Sequence, residues 1–80
     1  MITKIYTIYD RKSGIYGNPF FSQNDACAER DFKAFCAMPQ NSYLAEDLEL
    51  YDLGKFDSDT GEIVGWTKPE FLTGYANQKE

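Results

Sequence analysis

Aromatic and basic residues are interleaved along several segments of this chain, a pattern typical of surfaces that stack bases and hold phosphates. A stacked ring contributes about 1–3 kcal/mol for each base. We predict stacking rings at Tyr6, Tyr9, Tyr16 and Trp66, and phosphate contacts at Lys4, Arg11, Lys12, Arg30, Lys33 and Lys55. The alternative is that the rings fill the core or an oligomer interface, where aromatic residues are also enriched. For any single ring this alternative is favoured.

Carboxylates and thiols offer weaker signals for catalysis or metal binding. The segment 57–62, DSDTGE, resembles part of a calcium loop but lacks the other oxygen ligands, and turn formation explains the same residues. The acidic residues of 46–52 and the two cysteines have no histidine to assist them, because the chain contains none. We therefore predict no enzymatic activity, no metal site and no cofactor.

Length and charge restrict the kinds of protein this chain can be. Its 80 residues, 42% hydrophobic and 16% aromatic, allow one domain with a modest core. The net charge of −5 disfavours binding to nucleic acid by bulk electrostatics, which needs clustered cations.

The cysteines and the lack of targeting segments bear on the compartment. Cys27 and Cys36 lie in one predicted helix, about 13 Å apart along its axis, too far for a disulfide. Reduced cysteines favour a cytoplasmic protein. No apolar run reaches about 18 residues and no signal peptide is visible, so we expect a soluble chain that does not enter a membrane.

The clearest structural signal is a β-hairpin predicted over 48–67, with strands at 48–56 and 63–67. Alternation assigns side chains of the first strand to two faces, with Leu48, Leu50 and Phe56 on one and Tyr51, Leu53 and Lys55 on the other. Gly54 interrupts the first face, which predicts a bulge or the close approach of another backbone.

Two further strands and one helix precede this hairpin. Residues 2–9 predict a central strand, with Tyr6 and Ile8 on one face and Ile5, Thr7 and Tyr9 on the other. Residues 15–23 predict a second strand that lies at an edge or breaks at Asn18-Pro19, since proline cannot donate to a ladder.

The helix is predicted over 22–38. Ser22 with Asp25 resembles a capping box, Asn24 is an alternative N-cap, and Pro39 ends the helix. The residues with core-facing spacing are Ala28, Phe32, Phe35 and Cys36. The sequence of residues 68–75 does not indicate whether they form a strand, a helix or a loop.

The order of elements is β-β-α-β-β, which predicts an α+β fold. We expect a mostly antiparallel four-stranded sheet with the helix packed on one face and the other face open to water or to an interface. The domain is predicted to span residues 1–75, followed by a polar C-terminal tail at 76–80.

Several short motifs, in order, resemble a known family. They are IYxIxD at 5–10, PFF at 19–21, AxRxF at 28–32, LYDLGKFD at 50–57, TG at 60–61 and Ile63. In order and spacing the chain resembles the small nonstructural protein of gokushoviruses, which are single-stranded-DNA microviruses of bacteria. That family is commonly labelled DNA-binding and is thought to act in the switch from duplex replication to single-strand synthesis and packaging. The resemblance implies a viral accessory protein of the host bacterial cytoplasm.

Two functional hypotheses follow. The first is a protein that binds single-stranded DNA during phage genome replication or packaging through the rings and cations named above. The alternative is a protein-interaction module that docks on a viral or host replication protein or a procapsid protein without binding DNA. We also expect a homodimer, because the open face should carry rings such as Tyr51 and Trp66, more apolar area than a small monomer usually exposes.

Overall fold

The first strand, β1 (Ile2–Asp10), has nine residues and lies at the centre of the sheet. The computed structural model describes residues 1–78. Its other elements are β2 (Ile15–Tyr16), β3 (Phe20–Ser22), α1 (Asp25–Ala37), β4 (Leu48–Asp57) and β5 (Glu62–Gly74), with 3₁₀ turns at Pro39–Asn41, Ala45–Asp47 and Tyr75–Gln78. The sheet order is β2-β1-β4-β5, β3 also pairs with β1, and all pairings are antiparallel. The predicted α+β fold, with one helix and a mostly antiparallel sheet, is confirmed.

The segment predicted as the second strand is divided in two, as its glycine and proline indicate. β2 and β3 both pair with β1, and the residues between them leave the ladder. Gly17 stays attached there, because its N–H donates to the Ile8 carbonyl at 2.8 Å and its carbonyl accepts from the Thr7 hydroxyl at 2.7 Å. The break predicted at Asn18-Pro19 is confirmed.

A bulge in β4 changes which side chains share a face. The pairing of β1 with β4 shifts between Ile5, opposite Gly54, and Tyr6, opposite Asp52, so Leu53 is the extra residue. Gly54 has φ 149°, and a Cβ there would collide with the carbonyl of Val64. Both the predicted bulge and the predicted close approach are therefore confirmed.

The same bulge makes the predicted faces of β4 wrong beyond residue 53. Phe56 pairs with Thr3 and therefore lies on the face opposite to that of Leu48 and Leu50. Lys55 pairs with Lys4 on the helix side of the sheet instead of sharing a face with Tyr51. Strict alternation failed because one inserted residue reverses every later side chain.

The hairpin of β4 and β5 forms as predicted, but its second strand continues well beyond residue 67. The turn is closed by the Gly61 N–H, which donates to the Asp57 carbonyl at 2.7 Å, and Gly61 has φ 77°. β5 passes through Pro69 because its pairing with β4 is interrupted between Gly65 and Glu70, so that no ladder bond is required of the proline.

α1 begins two residues later than the capping-box pattern predicts. Asn24 is the N-cap, and its side-chain oxygen accepts from the Cys27 N–H at 2.9 Å. Ser22 instead belongs to β3, opposite Lys4, so the capping-box interpretation is wrong. Pro39 follows the C-cap, as predicted.

The core lies between α1 and one face of the sheet. Its buried members are Tyr6, Ala28, Phe32, Cys36, Ala45, Leu48 and Leu50. Phe35, also predicted for this stripe, is 38% exposed. The face of the sheet away from α1, here called the open face, has Thr7 buried at its centre.

The prediction of a domain at 1–75 and a tail at 76–80 stays a prediction. The 3₁₀ turn Tyr75–Gln78 overlaps the first part of that tail. Residues 79 and 80 lie outside the described part of the chain.

Candidate functional site

Four neighbouring strands each contribute one aromatic ring to the open face. Tyr9 on β1 pairs with Tyr16 on β2, and Tyr51 on β4 pairs with Phe71 on β5. Residues paired in an antiparallel ladder lie on the same face. Thr7 pairs with Tyr51, which brings the two pairs side by side. We call Tyr9, Tyr16, Tyr51 and Phe71 the tyrosine cluster.

The rings of the tyrosine cluster hold one another in place. The Tyr9 and Tyr16 centroids are 4.4 Å apart, and Tyr51 stands edge-on to Tyr9, Tyr16 and Phe71 at 5.8, 5.5 and 5.7 Å. Such pairs contribute about 0.5–1.5 kcal/mol each beyond the area they bury. Tyr16 is 45% exposed and Phe71 is 50% exposed, so these two rings are accessible from solvent.

Hydrogen bonding fixes the ring at the centre of the cluster. The Tyr51 hydroxyl donates to Glu49 Oε1 at 3.1 Å. Burial, reinforced by the neighbouring Glu49 carboxylate, raises the pKa of Tyr51 to about 12. The phenol therefore remains a hydrogen-bond donor at neutral pH.

Two cations lie at the margin of the tyrosine cluster, in the turn between β1 and β2. Arg11 Nε is 3.8 Å from Glu49 Oε2, and Arg11 Nη2 is 2.7 Å from the Glu46 carbonyl and 3.6 Å from Asp47 Oδ1. Lys12 follows it, is exposed, and forms no ion pair within residues 1–78.

Farther along the open face, a second apolar group continues the surface. Phe21 packs edge-on against Phe56 with centroids 5.8 Å apart, and Ile63 pairs with Phe56. Phe21 is 55% exposed and Ile63 is 63% exposed. We call Phe21, Phe56 and Ile63 the phenylalanine end.

A family model described as "Phage ORF5 protein" matches residues 3–78, nearly the whole chain. The chain belongs to the phage ORF5 protein family. It is thus a phage accessory protein, and the phage origin expected from the resemblance is confirmed, while the finer assignment to gokushoviruses stays a prediction. Comparisons with curated proteins and with solved structures gave no match. None of the helices within residues 1–78 is both long and apolar enough to cross a membrane.

Of the ten residues predicted to contact DNA in this phage ORF5 protein, four meet at the tyrosine cluster and its margin. They are Tyr9, Arg11, Lys12 and Tyr16. Tyr51 and Phe71 complete the site but are absent from the predicted set. Phe71 was missed because Pro69 obscured the continuation of β5. The length of β4 was the available signal, since a ten-residue strand in a hairpin needs a partner of similar length.

Three other predicted contacts lie on the helix side, in a group joined by Asp52 and Asp25. Lys4 Nζ is 2.8 Å from Asp52 Oδ2 and 3.5 Å from Asp25 Oδ1. The Trp66 indole N–H donates to Asp52 Oδ1 at 2.8 Å, and the Tyr6 hydroxyl donates to Asp25 Oδ1 at 2.7 Å. We call these five residues the Asp52 network.

The Asp52 network stabilises the fold, and it changes what was expected of Tyr6 and Trp66. Tyr6 is fully buried, so its ring has no face to offer a base, and it does not belong to the stacking surface. Trp66 was expected on the open face with Tyr51, but its bond to Asp52 places it on the helix side. The hydrogen bond to Asp52 is the main reason that the pKa of Lys4 is raised, and burial, then Asp25, raises that of Tyr6.

The remaining predicted phosphate contacts are not brought together with the tyrosine cluster. Arg30 and Lys33 are exposed on α1, where Arg30 Nε lies 3.8 Å from Asp31 Oδ1. Lys55 is exposed on the helix side of β4, opposite Lys4.

The two cysteines do not form a disulfide with each other. Cys27 and Cys36 are both free, and burial raises the pKa of Cys36 to about 11, which keeps its thiol protonated at neutral pH. No group of three or more potential metal ligands occurs within residues 1–78.

Proposed function

We propose that this phage protein binds single-stranded DNA on its tyrosine cluster, in the host bacterial cytoplasm during genome replication or packaging, and that it catalyses no reaction. The observation that supports the proposal is a pair of half-exposed rings, Tyr16 and Phe71, held edge-on by Tyr51 and flanked by Arg11. Rings that already hold one another lose little side-chain freedom when a base stacks on them.

The cations beside the cluster suit a modest phosphate contact. The ion pairs of Arg11 with Asp47 and Glu49 are long, at 3.6 and 3.8 Å, and Arg11 is exposed. Such surface pairs are weak, so exchanging a carboxylate for a phosphate costs little. With Arg11 and Lys12 as the only two phosphate contacts, log K should fall with log salt at a slope of about −1.4, a shallow dependence that fits a net charge of −5.

The proposal is tested by titrating a fluorescein-labelled oligothymidine with the protein and measuring anisotropy at low ionic strength. Tyr16→Leu and Phe71→Leu keep an apolar side chain but remove the stacking ring, and each should weaken binding by about fivefold or more. Phe35→Leu is the matched control, since Phe35 is an exposed ring on the other side of the sheet. Failure of the unaltered protein to bind oligonucleotides of any length would overturn the proposal.

The alternative, docking on a replication or procapsid protein without DNA, is favoured by one observation: acidic groups lie next to several of the cations, including Lys4, Arg11 and Arg30. An acidic surface steers association with a basic partner. A pull-down from infected cells after nuclease treatment distinguishes the two. Recovery of one stoichiometric protein would favour docking, and loss of all partners would favour DNA.

We further propose that two copies pair through the phenylalanine end. Phe21 and Ile63 are exposed there, and no segment within residues 1–78 covers them. Pairing about a twofold axis buries this surface on both copies and adds to the stability of a small core. It also places two tyrosine clusters in one assembly, which raises the avidity for a strand that reaches both.

A further inference from the structure

An apolar groove of about 480 Å³ opens on the helix side of the sheet. Its apolar lining comes from β1, β2, β3, α1, the start of β4 and the segment before it, and consists of Ile8, Ile15, Phe20, Phe35, Leu44 and Leu48. A smaller hollow of about 190 Å³ adjoins it, shares Ile8, Phe20 and Phe35, and reaches Asp31. The volume lies in the range of ordinary ligand sites, which is about 300–1,000 Å³.

This groove is separate from the surface proposed for DNA. Ile8 and Ile15 alternate with Tyr9 and Tyr16 along the same strands, and neighbouring residues of a strand point to opposite faces of a sheet. Ligands in the groove and on the tyrosine cluster therefore lie on opposite sides of β1 and β2.

Within residues 1–78, the charged groups at the groove are all acidic. Asp10 and Asp31 line the two hollows, and none of the described lysines and arginines lines either of them. The Asp10 carboxylate accepts one backbone hydrogen bond, from the Lys12 N–H at 2.9 Å, and so retains capacity for another donor. Asp31 is exposed, and its carboxylate lies 3.8 Å from Arg30 Nε. Carboxylates at the margin repel phosphates and fatty-acid anions and attract cations.

We propose that this groove binds an amphipathic, lysine- or arginine-bearing helical segment of another protein. Its apolar stripe would seat against Ile8, Phe20 and Phe35, and its cations would meet Asp10 and Asp31. An amphipathic helix in an apolar groove is a common mode of recognition.

A second copy of this chain is a poor occupant. Among the described elements α1 is the one α-helix, and its apolar residues Ala28, Phe32 and Cys36 are already buried in the core. The groove therefore fits a different protein. This proposal does not depend on DNA binding, because the two surfaces share no residue.

The test uses a fluorescein-labelled peptide of about 14 residues, near the shortest length that forms a helix, built from leucine and lysine with leucines at i, i+3, i+4 and i+7. Its anisotropy is measured against the full chain at about 0.15 M salt, where exposed charges are screened beyond about 8 Å. A peptide of the same composition with permuted order, and one with glutamate for lysine, should each bind at least about tenfold more weakly, a difference of about 1.4 kcal/mol.

Two matched pairs of variants locate the binding. Ile15→Ser, at a residue 65% exposed in the groove, should weaken binding about fivefold, and Ile2→Ser, at a residue 51% exposed outside it, should change it by less than about twofold. Asp31→Asn should weaken binding more than Asp59→Asn, a neutralisation at an exposed turn remote in sequence from the groove. Circular dichroism confirms that each variant is folded, and amide chemical shifts of the unaltered protein map the peptide without any variant.

Three results would overturn the proposal. The first is equal affinity for the ordered and permuted peptides, which would indicate unspecific charge attraction. The second is displacement of the peptide by dodecanoate at comparable concentration, which would assign the groove to acyl chains. The third is an oligomer of the unaltered protein that dissociates in the Ile15→Ser variant, which would assign the groove to a second copy.

Discussion

At the scale of single residues, Asp52 carries a buried carboxylate whose hydrogen bonds join three strands. The residue is 4% exposed and accepts from Lys4 of β1, from Trp66 of β5 and from the backbone N–H of Gly54 in its own strand, at 2.8, 2.8 and 3.1 Å. A buried carboxylate that lacked such partners would be strongly destabilising. The cation and the indole that the sequence assigned to DNA therefore stabilise the sheet.

Removing this carboxylate should lower the free energy of unfolding markedly. Asp52→Ala leaves the Trp66 N–H and the Lys4 ammonium without their acceptor, which we expect to cost about 2–3 kcal/mol. Urea unfolding measures the loss, and Asp59→Ala, at an exposed turn residue, is the control expected to change stability by less than about 0.5 kcal/mol. Similar losses for both variants would contradict the role given to Asp52.

The pKa of Tyr51 makes a further prediction at this scale. A tyrosine ordinarily ionises near pH 10.0, whereas Tyr51 in the folded protein does so at about 12. Between these values the unfolded chain releases the proton and the folded chain keeps it, so the free energy of unfolding falls as the pH rises.

The check is denaturant unfolding at pH 9 and pH 11.5. Between these two pH values, the free energy of unfolding of Tyr51→Phe should fall by about 1–2 kcal/mol less than that of the unaltered protein. Tyr43→Phe, at a residue 81% exposed, is the control, and its free energy of unfolding should fall between the two pH values as much as that of the unaltered protein. An unchanged slope in Tyr51→Phe would contradict the assignment.

At the scale of elements, the bulge at Gly54 decides what the open face contains. It turns Phe56 to the side of Phe21 and turns Lys55 toward Lys4. The glycine revealed the bulge in the sequence. Its position within the ladder, and therefore the residue at which alternation reverses, depends on pairing with β1 and is not encoded locally.

Replacing this glycine should be far more costly than replacing another glycine of positive φ. Gly54→Ala forces a Cβ against the Val64 carbonyl at φ 149°, and we expect a loss of about 3 kcal/mol or more. Gly14→Ala, at φ 74° with open space around it, should cost about 1–2 kcal/mol. Thermal unfolding of the two variants provides the comparison, and equal losses would mean that the close approach does not constrain the hairpin.

Local chemistry explains which elements the sequence could predict. The β-branched and aromatic residues of β1, the break at Pro19 and the turn at 57–62 each depend on neighbours in the chain. The helix start and the end of β5 depend on distant residues. Ser22 is taken from the helix by its pairing with Lys4, and β4 provides the ladder that carries β5 past Pro69.

The same distinction applies to the candidate site. Tyr9 and Tyr16 were predictable as a pair, because they flank one short turn. Trp66 was misplaced because nothing local indicates a buried carboxylate 14 residues before it in the chain. Tyr6 was misplaced because α1, which lies later in the chain, buries its ring in the core. Composition identified aromatic residues and cations, but only the fold determines which of them share a surface.

At the scale of the whole molecule, the two sides of the sheet carry different surfaces. The open face has the tyrosine cluster and the phenylalanine end, and the helix side has an apolar groove with an acidic margin. The two proposals made for these surfaces are therefore compatible: one places a DNA strand on the open face, and the other places a basic protein segment on the helix side.

Self-association through the phenylalanine end is the prediction at this scale. Sedimentation equilibrium at micromolar concentration should give twice the chain mass of 9.2 kDa. Ile63→Glu should return the protein to the monomer, because it buries a charge in the apolar contact, whereas Ile2→Glu should not. A species of 9.2 kDa in the unaltered protein, still folded on dilution, would rule out the dimer.

Photo-crosslinking tests the central claim most directly, because it reports where DNA lies. The protein is irradiated with an oligothymidine that carries 5-iododeoxyuridine, and the joined peptides are identified by mass spectrometry. We expect crosslinks at Tyr16 or Phe71, the exposed rings of the tyrosine cluster, and we expect them to disappear in Tyr16→Leu/Phe71→Leu. Crosslinks confined to Trp66, or to the Arg30 and Lys33 side of α1, would contradict the assignment of DNA binding to the open face.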